Sequence, residues 1–459
     1  MIIAIIVFTI FCLLLFFIGF TSKDHADKSE LNYFLGNRKL KSIQIGLSAG
    51  ATGNTGFIMT GAVGLGYAFG IDWLFLPFAW LIGDLIFWKY FPHKLNEVSH
   101  KENIISPVSF ISNNRIITII LSLIVIISLG AYASSQFIAS SKSLTGYFAL
   151  EQKWGILLTG FVIIGYLLFG GFRASVRTDI VQAIMMIVIT SIVLVDVCIR
   201  YDLFDNYGMF TSASKVGFSI PFFGWSLFTL IGFFLGWSSA AIGFGLGQPQ
   251  IISRYFAGQS IKQVKNAKWI YIIFLQFTWF GMTLFGYLIG LSGFVSNDPE
   301  SALAEYSLIN FTPLLSGIIL AGIFSSIAST IDSMCLSIST SITKDIFKRE
   351  SNQVIRYLIL LLVVLALILI SLSIETHSST VFVLAKLSIS LMASSLGLAI
   401  LLKLTTKNIS DKALFIGVIS SFITCILWYS IGYSNFIVES LPALIIGLII
   451  SHTLNRLKY

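Results

Sequence analysis

Residues Gly317–Asp345 read GIILAGIFSSIASTIDSMCLSISTSITKD, a stretch that is apolar and long enough to span a membrane and yet carries small hydroxyl residues. The hydroxyl residues recur at the i, i+3, i+4, i+7 and i+11 spacing of one helix face, at Ser326, Ser329, Thr330, Ser333 and Ser337. Asp332 stands beside this stripe. Because a carboxylate in hydrocarbon costs on the order of a few kcal/mol, we expect Asp332 to face a wet cavity or a cation.

Two interpretations of the stripe are open. Hydroxyl and carboxylate oxygens are hard ligands, and they suit a hard cation such as Na⁺. Small hydroxyl residues are also common where membrane helices pack closely, and the stripe taken alone favours this packing role. The rest of the chain has to decide between the two.

The composition places the stripe in a polytopic membrane protein. Of the 459 residues 56% are hydrophobic and 11% are charged, whereas about a quarter of a soluble domain is charged. The net charge of +8 does not indicate a nucleic-acid partner, because Lys and Arg lie in short loops instead of clustering on one domain. The four cysteines have no metal-ligand or disulfide spacing, and the five histidines lie in loops or at segment ends. We therefore expect a protein that is not an enzyme.

The apolar segments predict about thirteen transmembrane helices joined by short loops. The first segment lacks a basic start and a cleavage site, so we interpret it as a retained helix and not as a signal peptide. The predicted spans cover residues 2–20, 43–68, 71–91, 116–140, 154–171, 178–199, 219–248, 268–292, 313–340, 355–373, 380–402, 413–433 and 437–454.

The positive charges predict the orientation of the chain. With the N-terminus outside, 24 of the 29 Lys and Arg residues fall on the cytoplasmic side, four fall outside, and Lys386 lies within a span. This bias predicts a multi-pass protein of the plasma membrane, the inner membrane in a bacterium, with its C-terminus in the cytoplasm. No arginine is expected deep in the bundle, and Lys386 is expected to extend toward the outer surface.

Three spans are expected to be interrupted: the glycine-rich second and seventh spans and the ninth, which carries the stripe. Glycines let a helix unwind, and an unwound carbonyl in a membrane has to line a cavity or bind an ion, although close packing also explains them. Two glycine-rich spans five segments apart predict two inverted repeats of five helices. The expected organisation of the single transporter domain is an extra first helix at 1–20, repeats at 43–199 and 219–402, and extra C-terminal helices at 413–454.

Five motifs, in order, resemble those of the sodium/solute symporter family, and most closely its sodium/proline symporter branch. Each motif alone is weak, but together they cover residues 30–400 with consistent spacing. They are FLGNRKL at Phe34–Leu40, SAGATGNTG at Ser48–Gly56, GGFRASVRTDIVQAIMM at Gly170–Met186, GQPQIISRYFAGQS at Gly247–Ser260 and ASTIDSMCLSISTSITKDIFK at Ala328–Lys348.

The resemblance implies an all-α, LeuT-like fold with a sodium ion between the first and eighth core helices. Carried over by position, its ligands would be the carbonyl oxygens of Ala51, Asn54 and Ser326 and the hydroxyl groups of Ser329 and Thr330. Three of these residues lie on the stripe, so the resemblance and the spacing agree. Some family members bind a second sodium ion, and the corresponding positions here are Asp179, Ser329, Asp332 and Ser333.

One position departs from the family pattern. Proline carriers typically place an aspartate where this chain has Gly53, which puts proline specificity and the strength of sodium coupling in question. The tryptophan of the proline branch is replaced by Phe57. The substrate pocket is expected to include residues whose alternative role is ordinary packing, namely Gly53, Thr55, Phe57, Ser134, Gln136, Trp237, Ser238 and Ser239.

These features predict a sodium-coupled symporter that imports a small polar or zwitterionic solute by alternating access, with an amino acid such as proline as the first expectation. Its partners are the solute, Na⁺ and the lipid bilayer, without nucleic acid. The alternatives are a solute sensor on the same fold, or sodium-coupled uptake of a sugar, sialic acid or carboxylate. A channel is not expected, because the sequence has no repeated pore loop.

Overall fold

The computed structural model describes residues 2–23, 29–148, 150–200, 224–348, 352–374 and 381–457, which form a bundle of helices. The predicted seventh and eleventh spans start at residues 219 and 380, so their first residues lie outside the described part, as does Lys215. The helices are α1 Ile2–Phe20, α2 Glu30–Leu35, α3 Ser42–Gly53, α4 Val63–Phe69, α5 Leu76–Tyr90, α6 Pro92–Lys101, α7 Arg115–Phe148, α8 Gln152–Arg200, α9 Leu227–Gly247, α10 Pro249–Phe256, α11 Ile261–Leu291, α12 Ala302–Asn310, α13 Pro313–Thr340, α14 Gln353–Ile374, α15 Val381–Met392, α16 Leu398–Thr405, α17 Asp411–Ser430 and α18 Ser440–Arg456.

The second predicted span is broken in its middle, as the glycines predict. Helix α3 ends at Gly53, and Asn54 leaves helical geometry with φ −83° and ψ 67°. The chain becomes helical again in a wide, π-type turn, Phe57–Ala62, which leads into α4. Gly56 is needed for close approach, because a Cβ there would lie 2.7 Å from Ile327 of α13. The break therefore lies directly against the helix that carries the hydroxyl stripe.

The prediction that the seventh and ninth spans are interrupted is wrong, because both helices are continuous. Helix α9 is continuous to Gly247, and its glycines serve close packing, since a Cβ on Gly243 would lie 2.3 Å from that of Ala393. The break comes only at Gln248, before Pro249 starts α10. Helix α13 is continuous as well, because its hydroxyl groups bond to carbonyls of the preceding turn without opening the helix. It widens only after Thr340, in a second π-type turn, Ser341–Ile346.

A sharp bend joins the fifth and sixth predicted spans. They form one helix of 49 residues, α8, which turns at Gly171, where φ is +52°. A side chain at this position would be strained by the left-handed φ and would lie 2.8 Å from the carbonyl oxygen of Tyr33. The Gly-Gly pair of the third motif thus serves a tight bend at one end of the bundle.

Ten helices in the described part of the chain are long and apolar enough to cross a membrane. Two of these are long helical stretches: Phe57–Lys101, which includes α4, α5 and α6, has 45 residues, and Gln152–Arg200 has 49 residues. Each exceeds twice the length of about 20 residues that one crossing needs. The total of thirteen crossings stays a prediction. We call the end of the bundle where α1 begins the upper end and the end where α1 finishes the lower end.

Helix α13 lies at the centre of the bundle. It packs against α1, α3, α7 and α8. In the most apolar stretch of 18 residues of α13, 83% is buried inside the protein, compared with 33% in the corresponding stretches of α14 and α17. Its polar stripe therefore faces other helices and not lipid, which is the arrangement that both interpretations of the stripe require.

Candidate sodium and solute sites

The break in α3 and the stripe on α13 meet at a fully buried cluster of oxygens. Ser329 Oγ donates to the carbonyl oxygen of Ala51 over 3.0 Å, and Thr330 Oγ1 donates to that of Thr52 over 3.2 Å. Both hydroxyl groups also lie 3.0 to 3.1 Å from the carbonyl oxygen of Ser326. Each of these residues is at most 1% exposed. Three carbonyl and two hydroxyl oxygens therefore converge from two helices, and such neutral oxygens are suitable ligands for Na⁺.

This cluster contains four of the five predicted sodium ligands and adds Thr52, which the sequence analysis missed. Asn54 is buried at the break, but its side-chain amide donates to Thr278 of α11 over 2.6 Å. No hydrogen bond joins Asn54 to α13 within the described ranges. Thr52 could have been found from the sequence, since a helix that ends at Gly53 leaves its last carbonyl groups without intrahelical partners.

A second polar cluster surrounds Asp332 toward the lower end. Its carboxylate accepts hydrogen bonds from Tyr166 over 2.8 Å and from Ser175 and Ser333 over 2.9 Å each. Ser333 also donates to the backbone oxygen of Ser329, so the two clusters are joined. The predicted residues of the second sodium site thus lie in one continuous network on the stripe side of α13.

Arg254 occupies the middle of this second cluster, and the expectation that no arginine lies deep in the bundle is wrong. Its side chain is fully buried, and Nη2 lies 3.0 Å from Asp179 Oδ2, 2.9 Å from Ser175 Oγ and 2.6 Å from Ser333 Oγ. The sequence analysis placed Arg254 in a loop between two spans, but it lies on α10, a short helix that packs against α3 and α13. The guanidinium is thereby paired inside the protein instead of being hydrated.

The charges of this cluster do not balance. Asp179 and Asp332 are both fully buried and Arg254 supplies one positive charge, so the ionised set carries a net charge of −1. Asp179 Oδ1 has no hydrogen-bond partner in the part of the chain that the structure describes. A buried and unmatched negative charge is costly, and a monovalent cation beside these carboxylates would remove the imbalance.

A small central cavity lies next to the break and contains four of the predicted substrate residues, Gly53, Thr55, Phe57 and Trp237. Its volume is about 30 Å³, room for two or three water molecules at about 10–15 Å³ each, because aromatic side chains fill the space. Phe57 stacks on Phe382 at 5.5 Å. The residues that the sequence analysis did not assign to this cavity are Ile58, Trp80, Tyr132, Phe244, Trp279, Phe382, Ala385, Lys386 and Ile389.

Four other predicted substrate residues do not line this cavity. The hydroxyl groups of Ser134, Ser238 and Ser239 donate to backbone oxygens 2.7 to 2.9 Å away. Gln136 has a different role, because its Oε1 accepts a hydrogen bond of 2.8 Å from the backbone N–H of Gly56. This N–H is freed by the break in the helix, so Gln136 stabilises the unwound segment.

A second, larger cavity of about 320 Å³ opens toward the upper end. Its wall includes the end of α4 at Phe69 and the start of α9 at Thr229. Three residues line both cavities and separate them: Trp237, Phe382 and Lys386. Lys386 therefore does not extend to the surface as predicted, and its side chain is only 14% exposed.

The donor set of both clusters fits a hard alkali cation better than a transition metal. Within the described residues, no group of three or more His, Cys, Asp or Glu side chains is placed to hold a metal ion. The first cluster consists of neutral carbonyl and hydroxyl oxygens, and the second adds carboxylates; both are oxygen ligands of hard cations.

Comparisons with known proteins identify the family of the chain. The profile of the sodium:solute symporter family matches residues 33–420. The high-affinity proline transporter PutP of Bacillus subtilis is 26% identical over 441 residues, which cover 90% of this chain and 89% of that protein. The sodium/proline symporter of Staphylococcus aureus is 29% identical over 360 residues, which cover 75% of this chain and 68% of that protein.

Solved structures identify the fold. The structure matches that of a Na⁺-coupled sialic acid symporter in a substrate-bound, outward-open state with a TM-score of 0.81 and 18% identity over 98% of both chains. A manganese transporter of Eremococcus coleocola matches with a TM-score of 0.52 and 13% identity over 89% of this chain and 92% of that one. The family profile covers most of the chain, and the fold is LeuT-like. This chain therefore belongs to the sodium:solute symporter family and is a sodium-coupled solute carrier of the membrane, not an enzyme.

Proposed function

We propose that this symporter couples the inward movement of Na⁺ to the uptake of a small zwitterionic solute, with proline as the first candidate. The two relatives described above are named as proline carriers. The central cavity is small, so it would have to widen to hold a solute. The observation that carries the proposal is the contact of 3.0 Å between Ser329 Oγ and the carbonyl oxygen of Ala51. It joins the broken helix and the stripe at a buried point where one ion would bind both.

The first sodium ion would be held by the carbonyl oxygens of Ala51, Thr52 and Ser326 and by the hydroxyl groups of Ser329 and Thr330. The hydroxyl hydrogens that now point at these carbonyls would turn away, so that all five oxygens present lone pairs to the ion. Asn54 remains a candidate ligand from the other side of the break. Because the ligands come from two helices, the ion would stabilise the conformation in which α3 and α13 are close.

A second sodium ion would bind beside Asp179 and Asp332, with Ser333 and Ser329 as further oxygen ligands. The support is the net charge of −1 and the unpartnered Oδ1 of Asp179. In this arrangement Arg254 balances one carboxylate, and the ion balances the other. The stoichiometry of transport would then be two sodium ions for each solute molecule.

We further propose that the upper end faces outward, with the N-terminus outside and the C-terminus in the cytoplasm. The support is the positive-charge bias of the sequence: 23 of the 29 Lys and Arg residues are assigned to the lower side when the buried Arg254 is left out. The solute would enter the upper cavity, pass the wall of Trp237, Phe382 and Lys386, and occupy the central cavity after its aromatic side chains move. Rocking of one helical repeat against the other would then open a path to the cytoplasm.

Two alternatives keep the same fold. The absence of a carboxylate at Gly53 would also suit a carrier of a sugar, sialic acid or another carboxylate, since Asp at this position is a mark of the proline branch. A solute sensor would bind the same ligands without accumulating the solute. Both alternatives are outcomes of the experiment below.

The test is solute uptake by the purified chain in proteoliposomes. Radiolabelled proline, glucose, sialic acid and acetate are each supplied with an inward Na⁺ gradient, with equal Na⁺ on both sides, or with K⁺ in place of Na⁺. The proposal expects accumulation of proline above the external concentration only with the gradient. Preferred accumulation of another solute would identify that solute, and not proline, as the substrate. Solute binding without accumulation would indicate a sensor. Equal uptake in Na⁺ and K⁺ would refute sodium coupling.

A further inference from the structure

Two tryptophans that line the central cavity carry indole N–H groups that have no acceptor among the described residues. The indole Nε1–H groups of Trp80 and Trp279 are buried, and neither has a hydrogen-bond partner in the described part of the chain. Both side chains line the cavity, both residues are at most 4% exposed, and their rings lie 5.2 Å apart. Leaving a buried donor unpaired costs about 1–3 kcal/mol, so two such groups at one cavity point to a ligand that supplies acceptors.

A positive charge lies at the same cavity. Lys386 is the one charged residue among the described residues that line it. Its ammonium group lies 3.4 Å from Oε1 of the fully buried Glu439 and makes no hydrogen bond to any described residue. An ammonium group has three donors, so this pairing leaves Lys386 able to bind a second anionic group.

We propose that Lys386, Trp80 and Trp279 form the subsite that binds the anionic group of the solute, and that the carried solutes therefore bear a carboxylate. This inference rests on the proposed function. It names the group of the solute that is recognised and the residues that bind it. A carboxylate offers up to about four lone-pair positions, enough for an ammonium and two indole donors. The bond to the ammonium is charge-assisted and would be the strongest of the three.

The position of Lys386 also places it on the path of the solute. It follows Phe382 by four residues on α15, so both side chains lie on one helix face, and both belong to the wall between the two cavities. An anionic group that enters the upper cavity therefore meets the ammonium before it reaches the indole groups. Glu439, which directly precedes α18, holds the ammonium in place until the solute arrives.

The main rival explanation is that Lys386 and Glu439 form a structural ion pair between α15 and α18. Removing Lys386 alone would then leave Glu439 as an unpaired buried charge and would damage the fold for that reason. The rival is separated by the double substitution K386M/E439Q, which removes both charges together and keeps the volumes similar. K386R provides a matched control that retains the positive charge.

The experiment measures KM for radiolabelled proline, with thermal stabilisation by NaCl as the check that each variant folds and binds sodium. We expect K386M to raise KM at least about tenfold, K386M/E439Q to keep it raised, and K386R to restore much of the affinity. Stabilisation by NaCl should persist in all three. A normal KM in K386M, or in the double variant, would overturn the proposal and leave the ion pair as structural.

A second measurement uses the unmodified chain and does not depend on any variant. Proline and its amide, which lacks the carboxylate, are compared as competitors of labelled proline uptake, and we expect the amide to compete at least about tenfold less well. Equal competition, or preferred sodium-coupled uptake of uncharged glucose, would overturn the carboxylate subsite while sodium coupling stands. Loss of sodium dependence for every solute would instead refute the proposed function, and the inference with it.

Discussion

Replacement of Ser329 by alanine is the most direct test of the sodium site. Among the described residues, the Ser329 hydroxyl is the one side-chain group that joins the stripe to the Ala51 carbonyl, at 3.0 Å. Alanine removes this oxygen and leaves the helix intact, because it is a good helix former. The variant therefore removes one of the five proposed ligand oxygens, and the other four remain.

The expected magnitude follows from two opposing effects. An interaction with a charged group contributes about 1.5–3 kcal/mol, and each 1.4 kcal/mol or so changes an equilibrium constant tenfold, so sodium affinity should fall about tenfold to a hundredfold. The same substitution leaves the Ala51 carbonyl without its donor in the sodium-free protein, which costs about 1–3 kcal/mol. This cost destabilises the sodium-free form and cancels part of the loss. We therefore expect the smaller of these losses of affinity, so that the sodium concentration for half-maximal uptake rises about tenfold.

The assay is proline uptake as a function of Na⁺ concentration, together with thermal stabilisation by NaCl without solute. Ser325→Ala is the matched control, since Ser325 is equally buried on the same helix but its hydroxyl bonds only to Ala321 O, over 2.7 Å. Because linkage is reciprocal, the apparent proline affinity of Ser329→Ala should fall at low Na⁺ and recover at saturating Na⁺. Equal sodium dependence in the two variants would refute the site.

Three further substitutions test other parts of the arrangement. Asp179→Asn removes the net negative charge around Arg254, so the Na⁺:solute ratio measured from reversal potentials should fall from two to one; an unchanged ratio would contradict a second ion at this place. Gly53→Asp should lower the sodium concentration for half-maximal uptake, because an ideal Cβ there lies 3.6 Å from Phe244 and from Tyr271 Oη, which leaves room for a carboxylate beside the first ion; a higher requirement would argue against a nearby cation. Gln136→Ala leaves the Gly56 N–H unpaired and should lower the free energy of unfolding by about 1–3 kcal/mol, whereas Ser134→Ala should have little effect. Equal losses in the two variants would show that the Gln136 contact is not what stabilises the break.

The sequence predicted the parts of the site that depend on local pattern. The 3.6-residue period placed Ser326, Ser329 and Thr330 on one face, and the glycines around Gly53 predicted the break. Both follow from short-range rules, since helix periodicity and backbone freedom are properties of a few neighbouring residues. The meeting of these two stretches, 278 residues apart in the chain, came from the resemblance and is now seen as a contact.

The parts that the sequence did not predict depend on long-range partners. Arg254 was counted with the loop charges, because nothing near it in the sequence shows that α10 packs against α3 and places the guanidinium beside Asp179. Lys386 was expected to extend to the surface, because its partner Glu439 lies 53 residues further along the chain, just before α18. Rules that consider one segment at a time cannot identify a partner that lies far along the chain. They therefore predict that such a charge is exposed to water.

The shared segment of α3 explains how sodium and solute would be coupled. Ala51 and Thr52 contact the α13 hydroxyl groups, and Gly53 and Thr55, at most three residues further along the chain, line the central cavity. An ion that fixes the first pair also fixes the backbone of the second, so the ordering of this unwound segment is achieved once for both ligands. At a membrane potential of about 100 mV each inward Na⁺ contributes roughly 2.3 kcal/mol, more than tenfold in solute concentration. Coupling therefore needs no direct contact between ion and solute, only the five consecutive backbone positions Ala51–Thr55, which neither ligand can order without helping the other.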